Sequence, residues 1–294
     1  MRPNDDEFPS ASESEELKAA IRERIAAEGR IPFCQFMAMA LYHPLHGYYL
    51  SPRQSMGRHG DYLTSPEVHP IFGSLVAKQL RQMWQAMGEP RPGCRGPGGR
   101  CPPPPPRWRT AWAGRRAPGF FQALEYRLIE VNDWLVENQR RLLRQVDASL
   151  AKVSWLPSLE AIGAESVSGC FLGNELIDSF PVHRVAVRDG RLCELYVEWQ
   201  GERFVESLGP LSTPLIQDYF RRLGLLPGEG CSAEVNLEAL EWMKAVGRAL
   251  GRGFVLTFDY GCPAEELYSP WRKDGTLLCF YRHNASTDPY ARLG

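Results

Sequence analysis

"EYRLIEVNDWLVENQRRLLRQV", residues 125–146, decides the fold class. Its opening, Glu125 to Val131, carries the apolar alternation of a strand. The alternation stops at Asn132, whose side-chain oxygen is suited to accept the first unpaired amides of a helix. Helical spacing then runs from Asp133 to Val146. A strand that passes directly into a capped helix is one half of a βαβ unit, and such units build parallel sheets.

The pattern continues downstream. "SGCFLGNELIDSFPV" (168–182) offers a short apolar strand at 169–173 and then a polar turn. "HRVAVRDGRLCELYVEW" (183–199) alternates on both sides of Asp189-Gly190, a dipeptide suited to a type I′ hairpin turn. "NLEALEWMKAVGRALGRG" (236–253) is an amphipathic helix that Asn236 can cap, and "FVLTFDYG" (254–261) is an apolar strand ending in Asp259. This order predicts an α/β fold with an open, mostly parallel sheet covered by helices. Upstream the chain is helical. Ser12 or Ser14 can cap a helix with the stripe Leu17, Ile21, Ile25, and Gly29 ends it. A second helix starts in "IPFCQFMAMALY" and breaks at "HPLHGYY". From Glu67 a helical period returns through Ile71, Leu75, Leu80 and Trp84.

The 294 residues suffice for one large domain or two small ones. Hydrophobic residues make up 44% and charged ones 23%, as in a chain that buries a core. A formal net charge of −1 supplies no field for nucleic acid or an acidic membrane surface. No apolar run approaches the ~20 residues of a membrane helix. The acidic, polar start "MRPNDDEFPSASESEE" speaks against a secretory signal or an Arg-rich transit peptide. Eight cysteines include no CxxC pair, so no metal site is expected and the thiols are read as reduced.

One stretch is out of keeping. "RPGCRGPGGRCPPPPPRWRTAWAGRRAPG" (91–119) has neither an acidic residue nor any Val, Ile, Leu, Met or Phe. Five consecutive prolines forbid a helix there. The simplest reading is a segment translated in a shifted frame. A polyproline insert that binds partners and a disordered loop are the alternatives. The expected partition is therefore a helical region over 1–90, this segment over 91–119 and a Rossmann-like core over 120–294.

In open parallel sheets a ligand sits at the carboxyl ends of the strands. Polar residues gather at three such ends. Glu130 closes the first strand, Asn174, Glu175 and Asp178 follow the second, and Asp259 and Tyr260 close the third. A carboxylate in that position can accept both hydroxyls of a ribose.

Taken in order, "FMAMALYHPLHGYY", "GRHGDYLTSPEVHPIFG", "YRLIEVNDWLVENQRRLL", "GNELIDSFPVHRV", "EVNLEALEWM", "GFVLTFDYG" and "GTLLCFYRHNASTDPYARLG" resemble the MidA family. These are S-adenosylmethionine-dependent methyltransferases related to the mitochondrial complex I assembly methyltransferase. The resemblance covers 31–90 and 120–294. It implies a class I methyltransferase fold with an added helical region and S-adenosyl-L-methionine as cofactor. It also implies methyl transfer to arginine of a protein substrate, an NADH dehydrogenase subunit in a mitochondrial relative. The compartment implied is the bacterial cytoplasm or, in a eukaryote, the mitochondrial matrix. Members carry a first strand and glycine-rich turn just after the position of Pro90, where the odd segment stands here, so cofactor binding is expected to be impaired. The chain also stops where members continue, so the last strands are expected to be missing.

The resemblance assigns the ribose to Glu130, whose bland alternative is an exposed strand cap. Asn174, Glu175 and Asp178 become the catalytic candidates, because carboxylates hold a guanidinium and orient it. The alternative for Asp178 is a helix cap. Gly60, Asp61, Thr64, Ser65 and Glu67 are read as a loop closing over the cofactor, or as a capping box of Thr64 with Glu67. The tyrosines of "LYHPLHGYY" are read as core. His183 and His283 show no pairing in sequence that implies metal or nucleophilic chemistry. The rival to an enzyme is a non-catalytic assembly protein using the same surface.

Overall fold

The computed structural model describes residues 14–50, 60–90, 96–97, 118–146 and 152–293. The strands, in chain order, are β1 (Ile31–Pro32), β2 (Gly96–Pro97), β3 (Tyr126–Ile129), β4 (Val153–Leu156), β5 (Val167–Asn174), β6 (His183–Arg188), β7 (Arg191–Gln200), β8 (Arg203–Gly209), β9 (Ser232–Val235) and β10 (Leu250–Phe258). A short pair, Cys279–Tyr281 with Asn284–Ser286, follows. The chain divides into two compact units. The first draws on Met1–Arg53, Pro181–Leu237 and Cys262–Gly294, the second on Gln54–Phe180 and Glu238–Gly261.

The second unit holds the βα pattern that opened the analysis. β2, β3 and β4 ladder in parallel, with Gly96 opposite Tyr126 and Tyr126 opposite Val153. β5 and β10 form another parallel ladder, Phe171 opposite Val255 and Asn174 opposite Phe258. β2 also lies alongside β5. Joined by that proximity rather than by a ladder, the two sheets place the strands in the order β4, β3, β2, β5, β10. That is the doubly wound order, in which the chain starts in the middle and works outward in both directions. The direction reverses between β2 and β5, and ligands bind in such folds at the carboxyl ends beside that reversal.

Local chemistry explains these elements. Asn132 Oδ1 accepts from the amides of Trp134 (2.9 Å) and Leu135 (3.2 Å), and so caps the helix Asp133–Val146. Leu159, Ile162, Val167 and Phe171 pack on Val246 and Ala249 of the helix Leu237–Ala249. The middle strand position belongs to Gly96–Pro97, two residues of the odd segment. Pro97 has no amide to donate, which limits any ladder built there. Apart from Pro118 and Gly119, which open the helix Pro118–Ala123, the rest of that segment lies outside the described residues, and with it the frame-shift and polyproline readings.

The first unit departs from the mostly parallel sheet expected. Its strands run antiparallel in the order β1, β7, β6, β9, and β8 also pairs with β7. Tight turns join β6 to β7 and β7 to β8, and a turn that short can only reverse the chain. At the first turn Asp189 (φ 52°) and Gly190 (φ 69°) are both left-handed, as a type I′ turn requires. The Glu229 carboxylate accepts both turn amides at 3.0 Å.

Ser14, rather than Ser12, caps the first helix, Glu15–Glu28, by accepting the Leu17 amide at 3.2 Å. Leu17, Ile21 and Ile25 bury their stripe against Phe33, Phe36, Val197 and Phe204. The upstream helices divide between the units. Glu15–Glu28 and Phe33–Tyr42 belong to the first, Ser65–Val68 and Ile71–Ala86 to the second. The tyrosines Tyr42, Tyr48 and Tyr49 are half-buried; Tyr49 packs tilted against Tyr42 at 5.5 Å and edge-on against Tyr48 at 5.1 Å.

Candidate functional site

In the second unit the carboxyl ends of β5 and β10 meet. Glu175 follows β5 and takes φ 47°, a left-handed conformation that costs a non-glycine residue ~1 kcal/mol or more. The backbone amide of Glu175 donates to Phe258 O at the end of β10, 2.8 Å away. That bond holds the strained residue in place. Its carboxylate Oε1 accepts the Ser65 amide at 3.5 Å, and the Asn174 side chain and Tyr260 hydroxyl also reach it.

Asp259 completes the arrangement. Its Oδ2 accepts the Ile177 amide at 2.8 Å, so the turn Ile177–Ser179 is tied to the end of β10. Its Oδ1 accepts the Tyr260 amide at 2.9 Å. Desolvation pushes the Glu175 carboxyl above its ordinary range. Hydrogen bonds from Ser65 and Asn174 oppose that rise, and the Asp259 charge adds to it. The Tyr260 phenol is raised too, by partial burial and then by the charges of Glu175, Asp178 and Asp259. Three carboxylates thus act on one exposed tyrosine, a negative field that attracts a cation with N–H donors.

The sequence candidates sort as follows. Asn174 is buried, at 5% exposure, and is linked to Glu175. Asp178 is exposed and shares the field around Tyr260. No helical turn joins Glu175 to Asp178, because the left-handed residue 175 interrupts it and the short turn starts only at Ile177. Ser65 touches Glu175 through its backbone. Thr64 is buried at 3%, Gly60 is buried and Asp61 is half-buried ahead of the turn Ser65–Val68. Glu67 sits in that turn, and its side chain lies outside the described residues. Asp259 and Tyr260 have only strand-end positions to recommend them in sequence, and geometry gives them partners.

Glu130 stands apart at the end of β3. It is 8% exposed, so it is not an exposed strand cap. Its amide donates to Leu156 O at 3.1 Å and its Oε1 accepts the Asn132 amide at 3.0 Å. Among the described residues no hydrogen bond links it to the Glu175 group.

A family model of S-adenosyl-L-methionine-dependent methyltransferases, Methyltransf_28, matches residues 111–294. The chain belongs to that family. Over its whole length it is 28% identical to a Drosophila melanogaster protein arginine methyltransferase NDUFAF7 homolog, mitochondrial, spanning 70% of that protein. The Xenopus tropicalis NDUFAF7 match is 27% identical over 56% of this chain and a third (33%) of the relative. Its fold is similar to a crystal structure of a COG1565 superfamily member from Burkholderia thailandensis bound to S-adenosyl-homocysteine. That match has a TM-score of 0.79 and 31% identity, and covers all of this chain and 74% of the other. A second crystal structure from that superfamily and organism gives 0.75 and 30%.

The family is that of S-adenosyl-L-methionine-dependent methyltransferases, as the resemblance to MidA implies. The residues present fit the cofactor at one testable point. Among the described residues, only the Asn132 amide is bonded to the Glu130 carboxylate, which leaves acceptor capacity for ribose hydroxyls beside the strand-order reversal. Among the described residues no helix is long and apolar enough to cross a membrane.

His183 does have partners of the kind the sequence did not reveal. In the first unit its Nδ1 lies 2.7 Å from Glu194 Oε1, and Cys34 is close by. Burial alone would lower the imidazole pKa. Hydrogen bonds and charges from Cys34 and Glu194 outweigh that and raise it to about 9.

Proposed function

We propose that this methyltransferase modifies an arginine guanidinium of a protein substrate. The observation that carries the reading is the group Glu175, Asp178 and Asp259 around Tyr260 at the ends of β5 and β10. A guanidinium presents N–H donors in a fixed planar fork, and carboxylates are its natural partners. When bound, S-adenosyl-L-methionine supplies an electrophilic methyl group, so the chain's own task is alignment and electrostatics. In this reading Glu130 holds the ribose. Glu175 and Asp259 hold and orient the acceptor, and Asn174 keeps Glu175 in place. The segment from Gly60 to Glu67 closes on the same site through Ser65. The relatives named as protein arginine methyltransferases support the acceptor class. The MidA resemblance makes an NADH dehydrogenase subunit the first protein to try, in a cytoplasmic or matrix compartment.

A second reading has its own observation. β2 is two residues long where the sheet's first strand is due. A chain that cannot seat the cofactor would act as a non-catalytic assembly protein on the same fold.

The test is isotope-labelled methyl transfer to arginine-containing proteins, followed by amino-acid analysis. Label is expected in methylarginine, and Glu175→Gln and Asp259→Asn should lower kcat at least about tenfold. Label in another residue type sinks the arginine assignment. Absence of heat with S-adenosyl-homocysteine in calorimetry decides for the assembly protein.

A further inference from the structure

A second cluster lies in the first unit, unrelated to the carboxylates above. Glu194 on β7 is wholly inaccessible, at 0% exposure. Removing a carboxylate from water is costly unless charge and hydrogen bonds compensate. Its Oε2 accepts the Ser212 amide at 2.6 Å, and its Oε1 accepts the Ser212 hydroxyl at 3.1 Å and faces His183 Nδ1 at 2.7 Å. Cys34 joins them. One sulfur, one ring nitrogen and one carboxylate oxygen lie within 4.8 Å of one another.

Rigid elements set this meeting. Glu194 pairs with Val185 across β6 and β7, and His183, two residues before Val185, shares that face. β1 pairs with β7 through Pro32 and Tyr196, and Cys34 follows two residues later in the first turn of the helix Phe33–Tyr42. Residues 149 and 160 positions after Cys34 in sequence are thereby brought beside it.

We infer that Cys34, His183 and Glu194 form a binding site for a thiophilic divalent cation of the Zn²⁺ class. The donor set of one thiolate, one imidazole and one carboxylate suits Zn²⁺ rather than Mg²⁺ or Ca²⁺, which take oxygen ligands. Tetrahedral coordination spaces such donor atoms about 3.3–3.8 Å apart, so side-chain ends within 4.8 Å of one another adjust by ~1 Å, the His183–Glu194 pair opening from 2.7 Å. The ion takes the place of the proton shared by the ring and its neighbours. Ser212 orients the carboxylate ligand through its two hydrogen bonds. Cys34 and His183 are only half-buried, which leaves an entry path and a fourth position for water. Bound there, the cation clamps the Phe33–Tyr42 helix to β6 and β7.

The full-length protein, stripped with a chelator, is titrated with Co²⁺ and then Zn²⁺. One equivalent of Co²⁺ is expected to give a thiolate-to-cobalt charge-transfer band and tetrahedral visible bands, displaced by Zn²⁺. Cys34→Ser should remove the charge-transfer band, and His183→Gln should weaken Co²⁺ at least about tenfold. No band in the unaltered protein, or a band that survives Cys34→Ser, overturns the site. A readout without substitution guards against misfolded variants. Zn²⁺ should slow alkylation of Cys34, followed by peptide mass spectrometry, at least about tenfold, and an unchanged rate overturns the site equally.

Discussion

Glu175 concentrates what the site demands of a single residue. Its φ is left-handed, its carboxylate is desolvated and a second carboxylate lies near it. Desolvation raises its folded pKa, and a raised carboxylate contributes stability that is fully present below its unfolded value, near 4.3. That contribution is lost as pH rises through the folded value, so ionising the residue opposes folding. Glu175→Gln should therefore raise Tm at pH 7 while lowering turnover, and the gain should vanish below about pH 4. A gain of equal size at both pH values, or no gain at pH 7, would show that the desolvation argument is wrong. At Glu130 the expectation is different. Glu130→Ala should weaken S-adenosyl-L-methionine at least about tenfold, since an acceptor of two hydroxyls is lost. Calorimetry showing unchanged affinity removes the ribose role.

Elements bring these residues to one edge of the sheet, and their ends are set by short-range chemistry. The Asn132 side chain caps the Asp133–Val146 helix, while its backbone amide holds Glu130. Asn132→Ala should cost about 0.5–2 kcal/mol, read as a lower urea midpoint at constant m-value. Because the backbone amide remains, cofactor affinity should fall less than in Glu130→Ala. Gly190→Ala places a Cβ at φ 69° in the β6–β7 turn and should cost about 1 kcal/mol or more in the first unit. These ends were legible because a cap or a turn is local: Asn132, Ser14 and Asp189-Gly190 each act within four residues of themselves. β2 was not legible. Gly96-Pro97 shows no strand pattern, and only its neighbours β3 and β5 give it that position.

On the scale of the whole molecule, the proposed cofactor and cation sites draw on residues of different units. S-adenosyl-homocysteine at ~100 times its Kd should stabilise the fold it binds by about 2.7 kcal/mol. Hydrogen-exchange protection on binding should concentrate in Gln54–Phe180 and Glu238–Gly261, the segments of the second unit. Protection confined to the β6–β7 hairpin instead would move the cofactor out of the strand-order reversal.

What the sequence determined by itself was whatever repeats over a few residues. Strand and helix periods, the caps, the hairpin turn and the polar residues at strand ends all follow from neighbours along the chain. Ordered family-like motifs added the cofactor class. Tertiary structure alone decided the pairings between distant segments. It split the sheets into a parallel and an antiparallel unit, set Ser65, Asp259 and Tyr260 around Glu175, and brought Cys34 to His183 and Glu194. The physical reason is range. A cap or turn is satisfied by the next few amides, whereas a buried carboxylate such as Glu194 finds its compensation only where other elements happen to pack.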